Sequence, residues 1–150
     1  MATKKNSNIT TEVKQNNFGT IYTQFENKPV QAIKFLMKKK EGECINALYR
    51  NDIGYIDIVW GKVTDPIKHK GFGLAHIIDK HEADIKKLGF DVANFIATVV
   101  QYGNLSLSKS KEEYLLESET FRVVIETKYN GSKKNWILTA FDLQQKKAKK

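Results

Sequence analysis

The clearest pattern in the chain runs from Gly73 to Leu88. Leu74, Ile77, Ile78, Ile85 and Leu88 recur there at helical spacing, and Gly89 stops the run. A helix is expected over that segment. A second is expected from Asp91, whose carboxylate suits the cap position, to about Tyr102, with Val92, Phe95, Ile96, Val99 and Val100 as its apolar side. Pro29 fits the first position of a helix reaching about Lys40, ended by Gly42, with Val30, Ile33, Phe35, Leu36 and Met37 clustered for burial. The looser spacing of Val13, Phe18, Ile21, Tyr22 and Phe25 predicts one more helix over Thr11 to Phe25, weakened by Gly19.

Other segments change period from helical to alternating. Tyr55 to Trp60 places Ile56, Ile58 and Trp60 on one side and Tyr55, Asp57 and Val59 on the other, which is strand periodicity. Ala47 to Tyr49 reads as a short strand before a turn at Asp52 to Gly54. Three strands are expected at the C-terminal end: one within Leu105 to Leu116, one over Phe121 to Tyr129, and one over Trp136 to Leu143. Asn130-Gly131 between the last two is a hairpin signal. Lys62 to Phe72, with Pro66 and Gly71, is expected to be a loop. Helices followed by strands predict an α+β fold, with N-terminal helices packed on one face of a C-terminal antiparallel sheet of about four strands.

The chain of 150 residues is the size of one domain, and 41% hydrophobic residues suffice for a core. A single domain is expected over residues 10–145. Residues 1–9 form a polar, basic segment expected to be disordered, and 146–150 a basic tail. Lys and Arg total 25 against 17 Asp and Glu, a net charge of +8. Such a balance suits an acidic partner, with RNA the foremost candidate, although a generally lysine-rich composition gives the same excess. Cys44 is the single cysteine, so an intrachain disulfide and a Cys-rich zinc site are excluded; it reads as a packing residue. No apolar run reaches the roughly 20 residues that span a bilayer, and no apolar segment follows the basic N-terminus. The expected setting is therefore cytoplasmic, in a producing or a target cell, with no membrane partner.

Two of the 3 histidines, His76 and His81, fall in the Gly73 helix. Imidazole is the side chain best suited to moving protons near neutral pH. His76 and Lys80 lie one turn apart on a common face, whereas His81 falls in the apolar stripe between Ile78 and Ile85. Three readings stay open. His81 is a core histidine; His76 and Lys80 are a solvated helix face; or the helix meets the sheet at a cleft where histidine handles protons. On the Phe121 strand, Arg122, Val124, Glu126 and Lys128 share a face opposite Phe121, Val123, Ile125 and Thr127. Cations for phosphate oxygens and a carboxylate for proton transfer suit a phosphodiester, while the solvent side of an amphipathic strand looks the same. Thr139, a hydroxyl in the apolar run Trp136 to Phe141, needs a buried partner or a phosphate oxygen. Trp60 and Trp136 read as core. Tyr55, Tyr102 and Tyr129 are weaker candidates for stacking on bases. His76 and His81 are spaced wrongly for two ligands on one helical face, so no metal site and no cofactor are expected.

Ala47 to Gly61, Gly73 to His81, Arg122 to Ile125 and Asn135 to Phe141, in that order, resemble the phage-type barnase/EndoU/colicin/RelE-like nuclease domains of polyvalent proteins and toxins. The resemblance covers roughly residues 30–143. It implies helices followed by a four-stranded antiparallel sheet and a metal-independent ribonuclease, often aimed at RNA of the translation machinery such as transfer RNA. Carried over by block, it implies a catalytic set of His76, His81, Arg122 and Thr139. Lys80, Glu126, Lys128 and Tyr129 are the accompanying candidates for substrate binding. The Lys62 to Phe72 segment is longer than the resemblance leads one to expect. The expected activity is a toxin-type endoribonuclease that uses 2′-OH attack, a histidine as acid or base and an arginine on the phosphate. A cognate inhibitor, an antitoxin or immunity protein, is the partner such a toxin implies. The rivals are a non-catalytic nucleic-acid-binding domain and an effector that acts through a protein partner.

Overall fold

The computed structural model describes residues 15–16, 18–87 and 89–143. The expectations for residues 1–9 and 146–150 lie outside that range. In chain order the elements are β1 (Gln15–Asn16), β2 (Gly19–Tyr22), α1 (Pro29–Lys39), β3 (Glu43–Arg50), β4 (Gly54–Val59), β5 (Lys62–Asp65), β6 (Lys70–Phe72), α2 (Gly73–Lys87), α3 (Val92–Tyr102), β7 (Asn104–Leu107), β8 (Glu113–Glu117), β9 (Phe121–Tyr129) and β10 (Ser132–Asp142).

The three expected helices from Pro29 onward form where the apolar stripes place them. Pro29 opens α1. The helix ends at about Lys40 as expected, but the left-handed backbone of Lys40 itself, rather than Gly42, forms the cap and donates its N–H to the Leu36 carbonyl. Asp91 caps α3, its carboxylate accepting from the Asn94 N–H at 2.8 Å. The fold class holds as α+β, but the arrangement differs from the expectation in two respects. Strands are interleaved with the helices, and the sheet has eight strands in the order β1-β2-β3-β4-β10-β9-β8-β7. The last four in sequence form the expected antiparallel meander. β4 then joins β10 in parallel, with Trp136 opposite Asp57, and carries the N-terminal strands with it.

The segment read as a helix over Thr11 to Phe25 holds β1 and β2 instead, as far as it is described. Ile21 and Tyr22 pair with Glu43 and Cys44 of β3. The Thr20 N–H donates to Glu41 at 3.1 Å, and the Tyr22 hydroxyl donates to the same carboxylate. Sheet pairing and that carboxylate override loose helical spacing. The segment read as a loop over Lys62 to Phe72 is a hairpin, β5 paired with β6 as a separate two-stranded sheet. It turns the chain so that Gly61 and Gly73 meet, and a Cβ on Gly61 would lie 2.1 Å from the Phe72 carbonyl oxygen. That close crossing launches α2 off the end of β4.

The three described helices pack on one face of the sheet. Ile33 and Leu36 of α1, Ile77 and Ile85 of α2, and Ile96 of α3 share one core with Ile58, Ile125 and other inward-facing strand residues. Burying such a layer is the main favourable term in folding. Cys44 lies in this core with no exposure, as its packing role requires. A smaller apolar cluster, Phe18, Val59 and Trp136 with Phe72, Tyr129 and Leu138 against it, sits apart from the first.

Candidate functional site

Strand pairing fixes which side chains of the meander stand together. Directly opposed residues share a face, and along a strand every second residue does. On the face turned away from the helices, the pairings of β8, β9 and β10 set out three rows. The first is Glu117, Arg122 and Phe141; the second Leu115, Val124 and Thr139; the third Glu113, Glu126 and Trp136. Phe121, Val123 and Ile125, one residue out of step, point into the main core. A register irregularity between Ile137 and Thr139 turns Thr139 to the outer face beside Val124.

Each outer row has its own chemistry. In the first, the Arg122 guanidinium pairs with Glu117 and lies 5.4 Å from the centre of the Phe141 ring. That side chain keeps 26% exposure, so a second anion can reach it. The middle row is an apolar floor with the Thr139 hydroxyl at its edge. In the third row, burial raises the Glu126 carboxyl above the usual carboxylate range. A hydrogen bond to Glu113 and the charges of Glu113 and Glu112 raise it further, against a smaller opposing pull from Lys128. A like charge this close disfavours the ionised form of Glu126. Lys128 is exposed further along the same strand, and Tyr129 packs at 4.3 Å between ring centres against Phe18.

The helix candidates stand elsewhere. His81 keeps only 3% exposure, on the helix face. Its ring stands edge-on to Phe121 at 6.1 Å between centres, and its Nδ1 lies 4.0 Å from Asp84. Phe121 and Arg122 are neighbours on one strand and therefore face opposite ways. The expected convergence of imidazole, guanidinium and hydroxyl is thus not what the structure displays. Arg122, Thr139 and Glu126 come together; His81 is separated from them by the sheet.

His76 is also buried, at 7% exposure, and its Nδ1 has no hydrogen-bond partner. Burial lowers its pKa from the usual imidazole value, and the Lys80 charge lowers it further. Lys80 itself is exposed. His69, in the turn of the β5–β6 hairpin, bonds Asp79 of α2 at 2.9 Å, which ties the hairpin to the helix beside His76.

Charged residues that the sequence does not mark as site candidates complete the outer face. Lys134 of β10 reaches Glu43 of β3 at 2.6 Å and Asp57 of β4 at 2.5 Å. Glu43 is fully buried and Asp57 nearly so. Burial pulls the Lys134 pKa down, but the two carboxylates outweigh it and the net shift is upward. The β3–β4 and β4–β10 pairings together bring these three residues to one place, and no motif in the sequence announces it. Among the described residues no group of three or more His, Cys, Asp or Glu side chains is arranged to hold a metal ion.

No curated protein and no solved structure matches the chain. The three outer rows of the meander and the helix histidines fall within a region that matches a family model. That match is to PBECR1, the phage-Barnase-EndoU-ColicinE5/D-RelE like nuclease1 family, over residues 47–147, and the chain belongs to this nuclease family.

Proposed function

We propose that the protein is a metal-independent endoribonuclease whose cleavage site is the outer face of the β8–β9–β10 meander. One observation carries this reading: a guanidinium, a hydroxyl and a pair of facing carboxyls occupy successive rows of one face. Rows two residues apart along a strand are separated by about 6.7 Å. A phosphate over Val124 and Thr139 is then within reach of the long Arg122 side chain from one side and of Glu126 from the other.

In the proposed reaction Glu126 accepts the proton of the 2′-OH as that oxygen attacks phosphorus. A bond from O2′ to phosphorus forms while the bond to the 5′-oxygen breaks, leaving a 2′,3′-cyclic phosphate. Arg122 stabilises the charge that develops on the phosphate oxygens, and Thr139 donates a hydrogen bond to one of them. Solvent returns a proton to the departing 5′-oxygen. Glu113 holds Glu126 at a pKa closer to neutrality, where a general base is most effective.

A second reading keeps proton transfer on α2. It is favoured by the buried His76 Nδ1 that lacks a partner and by a lowered pKa that leaves the ring neutral at pH 7. One experiment separates the two. Cleavage of a single-stranded RNA is followed in EDTA for the wild type, Arg122→Ala, Glu126→Gln, Thr139→Val, His76→Ala and His81→Ala, each checked for folding by circular dichroism. We expect cleavage in EDTA and none of a substrate carrying 2′-deoxyribose at the cut position. Losses of about 10²- to 10³-fold are expected for Arg122→Ala and Glu126→Gln. Cleavage that requires a divalent metal, or that persists on the deoxy substrate, defeats the mechanism. Undiminished cleavage by both outer-face variants, with loss confined to folded His76→Ala, transfers the site to the helix. Binding without any cleavage leaves a nucleic-acid-binding domain.

A further inference from the structure

On the same side of the sheet, next to the third row, lies a cleft of about 650 Å³. Trp136 links the two places, since it pairs with Glu126 on one side and with Asp57 on the other, and Asp57 lines the cleft. A chain whose phosphate rests over Thr139 therefore brings an adjoining nucleotide to the cleft mouth. The volume falls in the usual range for small-molecule sites.

The lining is suited to a nucleobase rather than to a phosphate. In the lining the Asp57 carboxylate meets the Lys134 ammonium, and Glu43, fully buried behind the lining, holds the same ammonium. With its charge already held by two carboxylates, that ammonium is not left over for an anion, and the Asp57 carboxylate favours a hydrogen-bond donor. Tyr55, 42% exposed, and Tyr129 offer ring surface to the flat face of a base. Asn135 has unspent hydrogen-bonding capacity: its Nδ2 reaches only 3.5 Å to the carbonyls of Ile53 and Tyr55, and its Oδ1 is buried without a partner. The terminal torsion of asparagine is broad, so a modest turn presents both a donor and an acceptor to a base edge. Lys133, exposed at the rim, is placed for the phosphate that accompanies that base.

We infer that this cleft is a base-binding subsite for the nucleotide beside the cleaved phosphate, selecting bases with an exocyclic amino group over uracil. The inference rests on the meander face being the cleavage site. Base discrimination by a paired amide gives an expected preference of roughly fivefold or more. The test has two arms. In the first, cut positions are mapped on a single-stranded RNA of mixed sequence for the wild type, Asn135→Ala and Tyr55→Ala. The expected result is discrimination against uracil at one position flanking the cut, reduced at least fivefold in the variants. In the second, adenosine 5′-monophosphate, uridine 5′-monophosphate and ribose 5-phosphate are titrated into the ¹⁵N-labelled wild type, a measurement that needs no variant. Amide shifts at Asn135, Tyr129 and Lys133 with the adenine nucleotide, and not with ribose 5-phosphate, support the subsite. Such shifts in a protein that cleaves no RNA keep the base site and remove the nuclease mechanism. Cleavage with no flanking preference, or shifts equal for all three ligands, overturns the subsite and leaves the mechanism standing.

Discussion

Glu126 and Glu113 face each other across β8 and β9, and the pairing has a consequence for stability as well as for chemistry. The Glu126 carboxyl is raised by burial first and by Glu113 second. A carboxyl whose folded-state pKa lies above its unfolded value stabilises the fold while protonated. That contribution is complete at pH below the ordinary glutamate range and is lost as pH rises through the raised folded value. Glu126→Gln removes the charge and keeps the shape. The variant is expected to be more stable than the wild type at pH 7.5, by a few tenths to about 1 kcal/mol given the partial exposure of the pair, and equal to it at pH 3.5. Urea midpoints at the two pH values decide it, and a variant less stable at pH 7.5 refutes the upward shift of Glu126. The outer-face residues of β9 were legible in the sequence because alternation alone separates Arg122, Val124, Glu126 and Lys128 from their neighbours. Glu113 was not, because its partner depends on the register of β8 in a segment with weak strand character. The placement of His81 was half legible: helical spacing put it in the apolar stripe, and once it touches Phe121 the same alternation forbids Arg122 from its side.

At the scale of elements, Gly61 and Gly73 let the chain leave β4, fold into the β5–β6 hairpin and return into α2. Gly61 has φ +78° and Gly73 φ +76°, both in the left-handed region that L side chains disfavour. A Cβ on Gly61 also meets backbone, the Phe72 carbonyl oxygen, which cannot swing aside as a flexible side chain can. Gly61→Ala is expected to cost at least about 2 kcal/mol, from the left-handed backbone and the collision together. A thermal melt lowered by several degrees is the expected readout, whereas an unshifted melt denies the close crossing. The sequence reading lost this hairpin because Pro66, Gly71 and many charges resemble a loop when the pairing partner is unknown. It lost β2 for a related reason: Ile21 and Tyr22 gain their burial from β3 and Glu41, contacts that no local window contains. The helices from Pro29 onward and the β9–β10 hairpin came through because their signals are local: a stripe, a cap, a proline at the start, an Asn-Gly turn.

For the whole molecule, the question is whether the excess of 25 basic over 17 acidic residues acts as a diffuse cloud or through particular side chains. The two-layer build separates the possibilities. Lys128 lies on the outer face of the meander, in line with Arg122 and Glu126, while Lys34 is exposed on α1 in the opposite layer. If single-stranded RNA lies along the outer face, Lys128 neutralises a phosphate and releases its counterion, and Lys34 does not. The logarithm of the binding constant then falls linearly with the logarithm of salt, with a slope of about −0.7 per phosphate contacted. Lys128→Ala should flatten that slope by about 0.7 and weaken binding for every sequence alike, whereas Lys34→Ala should leave it unchanged. Fluorescence anisotropy with a labelled RNA, run on the Glu126→Gln background to suppress cleavage, measures both slopes. Equal flattening by the two substitutions means that RNA feels only the total charge and has no defined path across the molecule. In that case the rows of the meander lose their claim to be the surface on which the phosphate is cut.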